Sequence, residues 1–160
     1  MGTDNREQIV SDTLLASYQK YYRMAYSYVR NESDAMDVVQ EASYKAIYNC
    51  EKLRNPEYVD TWIGRIVINC AKEILRKNSR YEAELADEDA AEDPAFADLD
   101  LREAIEHLDP RDRRIIELRF FEDMDLNTIA DILDENLSTV KSRLYRALRK
   151  LKIELEDEQL

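Results

Sequence analysis

Apolar and aromatic side chains recur at steps of three and four through most of this chain, and little interrupts them: of 160 residues, two are glycine and three proline. That spacing lays one stripe along a helix, whereas a half-buried strand alternates at every second residue. No alternating run is present in the first half of the sequence. Charged residues make up 36% of the chain, which suits helices with solvated outer faces. The expectation is an all-α protein.

In the first half, Leu14, Leu15, Tyr18, Tyr22, Ala25, Tyr26 and Val29 mark one helix from Thr13 to about Asn31. Ser33 or Asp34 can cap a second, with Met36, Val39, Ala42, Ala46 and Ile47 inward. It ends before Leu53-Arg54-Asn55-Pro56, because proline disfavours helix in the residue before it. A third runs from about Val59 to Asn78, with Trp62, Ile66, Cys70, Ile74 and Leu75 at helical spacing. In the second half, Leu101, Ile105 and Leu108 form one helix, and Pro110-Arg111-Asp112 starts another carrying Ile115, Ile116, Leu118 and Phe120. Leu126 to Leu133 makes a short helix, with Ile129, Ile132 and Leu133 inward. After the polar break Asp134-Glu135-Asn136, a last helix carries Leu137, Val140, Leu144, Ala147, Leu148 and Leu151. Two helices joined by a tight polar turn, the second strongly basic, form a helix-turn-helix pattern.

A net charge of -12 argues at first against nucleic-acid binding, but its distribution reverses that inference. Residues 1–81 carry twelve basic and eleven acidic side chains, and residues 101–153 carry eleven of each. The span 82–100 holds nine acids and no base, and the tail 154–160 four acids and no base. Local charge is therefore the informative quantity. The expected organisation is a helical domain at 1–81, an acidic linker at 82–100 and a helix-turn-helix domain at 101–160. An alternative for 82–100 is a solvated acidic helix. Extended, 19 residues reach up to roughly 65 Å, enough for two halves to hold separate sites.

Several function classes are excluded. No run approaches the roughly 20 apolar residues that span a bilayer, and the polar stretch Met1 to Val10 lacks the apolar core of an export signal. A cytoplasmic location is expected, with no membrane insertion. Cys50 and Cys70 form no CxxC pair and are expected to be reduced core residues. His107, the one histidine, has no partner cysteine or second histidine at ligand spacing. With two glycines, a phosphate-cradling loop is out of reach. Catalytic residues, metal, cofactor and small-molecule substrate are therefore not expected.

Three charged faces stand out. Between Ser138 and Lys152, Lys141, Arg143, Arg146, Arg149, Lys150 and Lys152 occur without an acid. Opposite the apolar stripe lie Ser138, Lys141, Ser142, Tyr145, Arg146 and Arg149, a set suited to base edges and phosphates in a major groove. The plainer alternative is a basic helix end that complements its own dipole. Around residues 65–80, Arg65, Lys72, Arg76, Lys77 and Arg80 face one acid, Glu73, near Tyr58, Trp62 and Asn69. Cations beside aromatics suit unstacked single strands, although Trp62 at helical spacing fits a core position better than a base platform. On the second helix, Asp34, Asp37 and Glu41 share one side, with Gln40 adjacent. Such carboxylates could bind a metal, act as acid and base, face a basic partner or simply be solvated.

These segments resemble a known family. Asp34-Ala-Met-Asp-Val-Val-Gln-Glu41 is similar to the D-A-E-D-L-V-Q-E signature of region two of sigma factors, and Thr61-Trp-Ile-Gly-Arg-Ile-Val-Ile-Asn69 to T-W-L-x-R-I-A-x-N. Leu108-Asp-Pro-Arg-Asp-Arg-Arg, Ile129-Ala-Asp-Ile-Leu133 and Ser138-Thr-Val-Lys-Ser-Arg-Leu-Tyr-Arg-Ala147 resemble region four. Both regions with a short linker between them resemble the extracytoplasmic-function (ECF) sigma factors, over residues from about 12 to 153. The resemblance implies a non-enzymatic subunit that directs RNA polymerase to promoters. By it, Asp34, Asp37, Gln40 and Glu41 dock the clamp helices of the polymerase's largest subunit. Leu53, Arg54 and Asn55 lie in the loop that pockets a base flipped from the minus-ten element, with Asn69 lining it and Arg65, Lys72 and Arg76 on the adjacent backbone. Ser138, Thr139, Lys141, Ser142, Arg143, Tyr145, Arg146 and Arg149 fall on the helix that reads the minus-thirty-five element. An anti-sigma factor is implied as a further partner.

Two positions depart from that pattern. The turn usually has a glycine followed by an apolar residue, where this chain has Asp134 and Glu135. Aspartate tolerates a left-handed backbone, so the turn is expected to survive. The loop before Trp62 has Leu53 and Asn55 in place of a frequent phenylalanine and glycine. A helix-turn-helix regulator that recruits no polymerase is the competing reading, and it leaves the Asp34–Glu41 face unexplained.

Overall fold

The computed structural model describes the backbone of residues 3–82 and 101–158, and the side chains of 5–78 and 101–152. Among these residues all regular structure is helical: α1 (Thr3–Ala16), α2 (Tyr18–Val29), α3 (Glu32–Tyr48), α4 (Val59–Glu82), α5 (Leu101–Glu106), α6 (Pro110–Ile116), α7 (Leu126–Leu133) and α8 (Leu137–Glu158). The all-α expectation holds. The chain divides into two compact units, one containing α1 to α4, the other α5, α6, α8 and most of α7. The acidic span expected as a linker falls outside the described residues beyond the end of α4, as does the side chain of Arg80.

In the first unit α1 and α2 both pack on α3. Helix begins at Thr3, ten residues earlier than the apolar pattern suggested, and is interrupted at Ser17, whose ψ of 22° leaves the helical range. The inward face also differs from the expected one. Leu14, Ala25 and Val29 are buried as expected, together with Val10, Tyr21, Met24 and Tyr28, while Leu15 is 80% exposed, Tyr18 is exposed and Tyr22 is half-buried. The cause is chemical. Tyrosine has an apolar ring and a polar tip, so it suits either face of a helix, and the half-buried Tyr22 and Tyr26 stack at 6.2 Å.

Helix α3 is capped by Asn31, whose Oδ1 accepts the Asp34 N–H at 2.8 Å, not by Ser33 or Asp34. Arg30, just before it, takes a left-handed φ of 61° that turns the chain from α2 into α3. Ala35, Val38, Val39, Ala42 and Ala46 are buried, whereas Met36 and Ile47 point to solvent. Two single turns of 3-10 helix, Cys50–Lys52 and Pro56–Tyr58, flank the Leu53-Arg54-Asn55 loop. In α4 the buried stripe is Ile63, Val67, Ile68, Cys70 and Ala71, with Trp62, Ile66, Ile74 and Leu75 on its margins. Asp60 ties α4 to α2 by accepting from the Tyr21 hydroxyl and pairing with Lys20. Burial first, and that bond to a carboxylate second, raise the Tyr21 phenol well above its ordinary range.

In the second unit α8 packs against α5 and α6. Asp109 caps α6 by accepting the Arg111 N–H at 2.9 Å, with Pro110 in the first turn, where its missing N–H costs nothing. The helix widens into a π turn over Glu117–Phe121, closed by the Glu122 N–H on the Glu117 carbonyl at 3.1 Å. Phe120 and Phe121, within this turn, are exposed. Asp125 starts α7 by accepting the Thr128 N–H at 2.8 Å. After Leu133, Asp134 adopts φ 57° and the Glu135 N–H reaches back to the Ala130 carbonyl at 2.9 Å. That six-to-one bond is the Schellman termination, made here by aspartate in place of glycine. The expected helix-turn-helix is present.

Candidate functional site

Three surfaces follow from this packing. The first is the outer face of α3. Because Ala35, Val38, Val39, Ala42 and Ala46 turn inward, Asp37, Gln40 and Glu41 are left exposed together with Met36, Tyr44 and Tyr48. Tyr44 and Tyr48 stack at 5.9 Å. Asp34 is different. It is part-buried, and its Oδ2 accepts from Asn31 Nδ2 at 3.0 Å and from Asn78 Nδ2 at 3.3 Å. Asp34 therefore joins the start of α3 to α4 and is less available than its neighbours. Glu41 lies 3.6 Å from Lys45, which also approaches Glu73 at 3.8 Å. The apolar members of this face escaped the sequence argument, because Met36 fitted the inward pattern by spacing alone. No group of three metal-ligating side chains occurs among the described residues.

The second surface is α4 and the loop before it. Arg65, Asn69, Lys72 and Arg76 are all exposed and follow one another at steps of three and four, on the side away from the buried stripe. Tyr58 is exposed and Trp62 half-buried, at one end of the same line. Arg54 and Asn55 are exposed; Asn55 Oδ1 accepts the Glu57 N–H at 3.0 Å and starts the turn into α4. Leu53 is 1% exposed and anchors the loop in the core of the first unit.

The third surface is α8. Val140, Leu144, Ala147 and Leu151 are buried, and Ser138, Lys141, Ser142, Tyr145 and Arg149 are exposed, with Thr139 intermediate. Arg143 and Arg146 depart from the simple outward picture. Both reach Asp112 of α6, whose side chain is 0% exposed: Arg143 Nη1 lies 3.2 Å from Oδ1, and Arg146 donates from Nε at 3.1 Å and from Nη2 at 2.9 Å to each oxygen. Arg146 remains 50% exposed and Arg143 21%. The bond to Asp112 raises the Arg146 guanidinium further above its already high range. A carboxylate two helices back in sequence was invisible to pattern reasoning, which counted α8 as all cation. The signal was Asp112 itself, an acid among Arg111, Arg113 and Arg114.

Cys50 and Cys70 are buried, free thiols, and burial pushes the Cys70 thiol up. His107 is exposed, with Nδ1 2.7 Å from the Glu103 carbonyl oxygen. Among the described residues no helix is long and apolar enough to cross a membrane.

Comparison with known proteins matches both halves. Residues 9–81 fit the family model described as sigma-70 region 2, and residues 98–151 the one described as sigma-70, region 4. The chain is 43% identical over 148 residues to RNA polymerase sigma factor SigV of Bacillus subtilis (strain 168), covering 89% of this chain and 88% of that protein. It is 33% identical over 133 residues to the RNA polymerase sigma-E factor of Streptomyces antibioticus, covering 79% and 73%. Among solved structures, the sigma factor RpoE in complex with the anti-sigma factor NepR from Bartonella quintana matches with a TM-score of 0.72 at 22% identity, over 91% of this chain and 96% of that one. CnrH, in complex with the cytosolic domain of CnrY, matches with a TM-score of 0.66 at 22% identity, over 96% of each. At that identity the likeness is one of fold.

Proposed function

The chain belongs to the sigma-70 family of RNA polymerase sigma factors, in its two-region ECF form, and from that premise we propose how its surfaces divide the work of promoter-specific initiation. The exposed face of α3 docks core polymerase. Asp37, Gln40 and Glu41 supply charge and hydrogen bonds to the clamp helices of the largest subunit, and Met36, Tyr44 and Tyr48 supply apolar area. Aromatic and methionine side chains are enriched at the centres of interfaces, with polar groups around them. Asp34 contributes by fixing the start of α3 through Asn31 and Asn78.

The line Arg65, Asn69, Lys72 and Arg76 holds the minus-ten strand, with Arg54 and Asn55 in the preceding loop and the half-buried Trp62 at its edge. Leu53 sets the loop's shape from beneath. Cations along a helix track phosphates, and the adjacent ring gives an unstacked base a surface. The α8 face, with Ser138, Thr139, Lys141, Ser142, Tyr145 and Arg149 outward, enters the major groove at the minus-thirty-five element. The factor binds and positions; the polymerase performs the chemistry. Its place of work is the cytoplasm, where polymerase and promoter are. An anti-sigma protein that covers these surfaces is the natural regulator, and both solved proteins of like fold were captured with partners.

The observation that carries this reading is the α3 face on which Met36, Tyr44 and Tyr48 stand exposed beside Asp37, Gln40 and Glu41. Asp37→Lys with Glu41→Lys reverses its charge without touching the core. Co-migration with core polymerase should fall at least about tenfold, a cost of roughly 1.4 kcal/mol, with the melting curve unchanged. Undiminished binding would remove α3 as the docking element.

A further inference from the structure

Arginines on a DNA-facing helix are ordinarily counted as DNA contacts, yet two on α8 are already engaged. Arg143 and Arg146 are three residues apart, one turn of helix, and both converge on the fully buried carboxylate of Asp112. A buried carboxylate needs its charge compensated and its lone pairs filled, and here both oxygens are met by guanidinium nitrogens. The two arginines are not equivalent. Arg143 is mostly covered and its Nε is buried without a hydrogen-bond partner, so it belongs to the interior of the unit. Arg146 presents one edge, Nε and Nη2, to Asp112 and is still half exposed.

An arginine held by one edge cannot sample the rotamers of a free one, so its remaining donors point in a fixed direction. Orientation of this kind converts a flexible cation into a specific reader, because planar recognition by guanidinium depends on angle as well as distance. We infer that Asp112 is a positioning residue for promoter reading: its buried carboxylate fixes the guanidinium of Arg146, and through it the edge that this arginine turns to DNA. This rests on the reading of α8 as the minus-thirty-five element's reader.

The test is initiation by core polymerase loaded with the full chain, on promoter fragments randomised across the minus-thirty-five element. Initiation on a fixed fragment with that element scrambled serves as the internal reference. Arg146→Gln should flatten the preference at a small set of promoter positions by about tenfold, the discrimination a good guanidinium contact supplies. Asp112→Asn should flatten the same positions, and Asp112→Asn with Arg146→Gln should be no flatter than Arg146→Gln alone. Initiation from the scrambled reference normalises each variant, which separates a uniform loss of DNA binding from a loss of selectivity. A general loss of preference at every position in Asp112→Asn would show a merely structural role, and unchanged preference would exclude any role; either overturns the inference. Should Asp112→Asn fail to fold, Arg146→Lys carries the test. It keeps the charge but cannot span both carboxylate oxygens, so it should behave like Arg146→Gln, and selectivity equal to the unaltered protein overturns the inference. If no variant, nor the unaltered protein, starts transcription even from the reference, it is the sigma assignment that fails.

Discussion

Leu53 shows that a place in a loop does not fix which way a side chain is committed. The resemblance put it in the base-capturing loop, whereas its side chain is closed into the first unit's core. Leu53→Ala should therefore destabilise that unit by about 2–5 kcal/mol, the usual cost of emptying a leucine site. A urea melt would measure it, and a side chain that worked only at the surface would cost almost nothing. Arg146 makes the converse point, since a residue correctly placed on the outward face also has an inward duty to Asp112. Residue type and spacing located both side chains on their elements. Neither could tell how far each was committed to packing, because Asp112 and Arg146 meet only when α6 and α8 pack.

At the scale of elements, helix type and order were legible, while boundaries and faces were less so. The helix-turn-helix survived the loss of its usual glycine because Asp134 accepts the left-handed backbone, and the Glu135 N–H still closes on Ala130. Strain at that position should be measurable. Asp134→Gly, which carries no Cβ, should stabilise the second unit by about 0.5–1 kcal/mol, and Asp134→Val should destabilise it by more. Thermal unfolding of both variants would check the order; a stabilising valine would contradict the backbone assignment. The first helices were harder to read, because tyrosines stand on both sides of α2: Tyr21 and Tyr28 are buried with Met24, Ala25 and Val29, whereas Tyr18 is exposed. The π turn after α6, in which Phe120 is exposed, had no sequence signal.

For the whole molecule, charge is arranged along the chain in a way that no single surface reveals. Two nearly neutral blocks are separated by nine acids and followed by four more. Neither DNA-facing surface has to bind tightly on its own, since joining two weak sites raises the effective concentration at each. Acids placed between two DNA-binding surfaces should oppose the approach of free protein to DNA, an effect that falls with salt. Replacing the acids at 87–93 by amides should tighten binding of the free protein to duplex DNA, most at low ionic strength; equal affinity at all salt concentrations would contradict this screening role. The central claim, however, is that the chain confers promoter choice on polymerase. Run-off transcription with purified bacterial core polymerase and a library of promoter fragments tests it most directly. The account predicts new start sites that appear only when this protein is added and share upstream elements at fixed spacing. Core polymerase that neither binds the protein nor gains any start site, even core from a related bacterium, would contradict it.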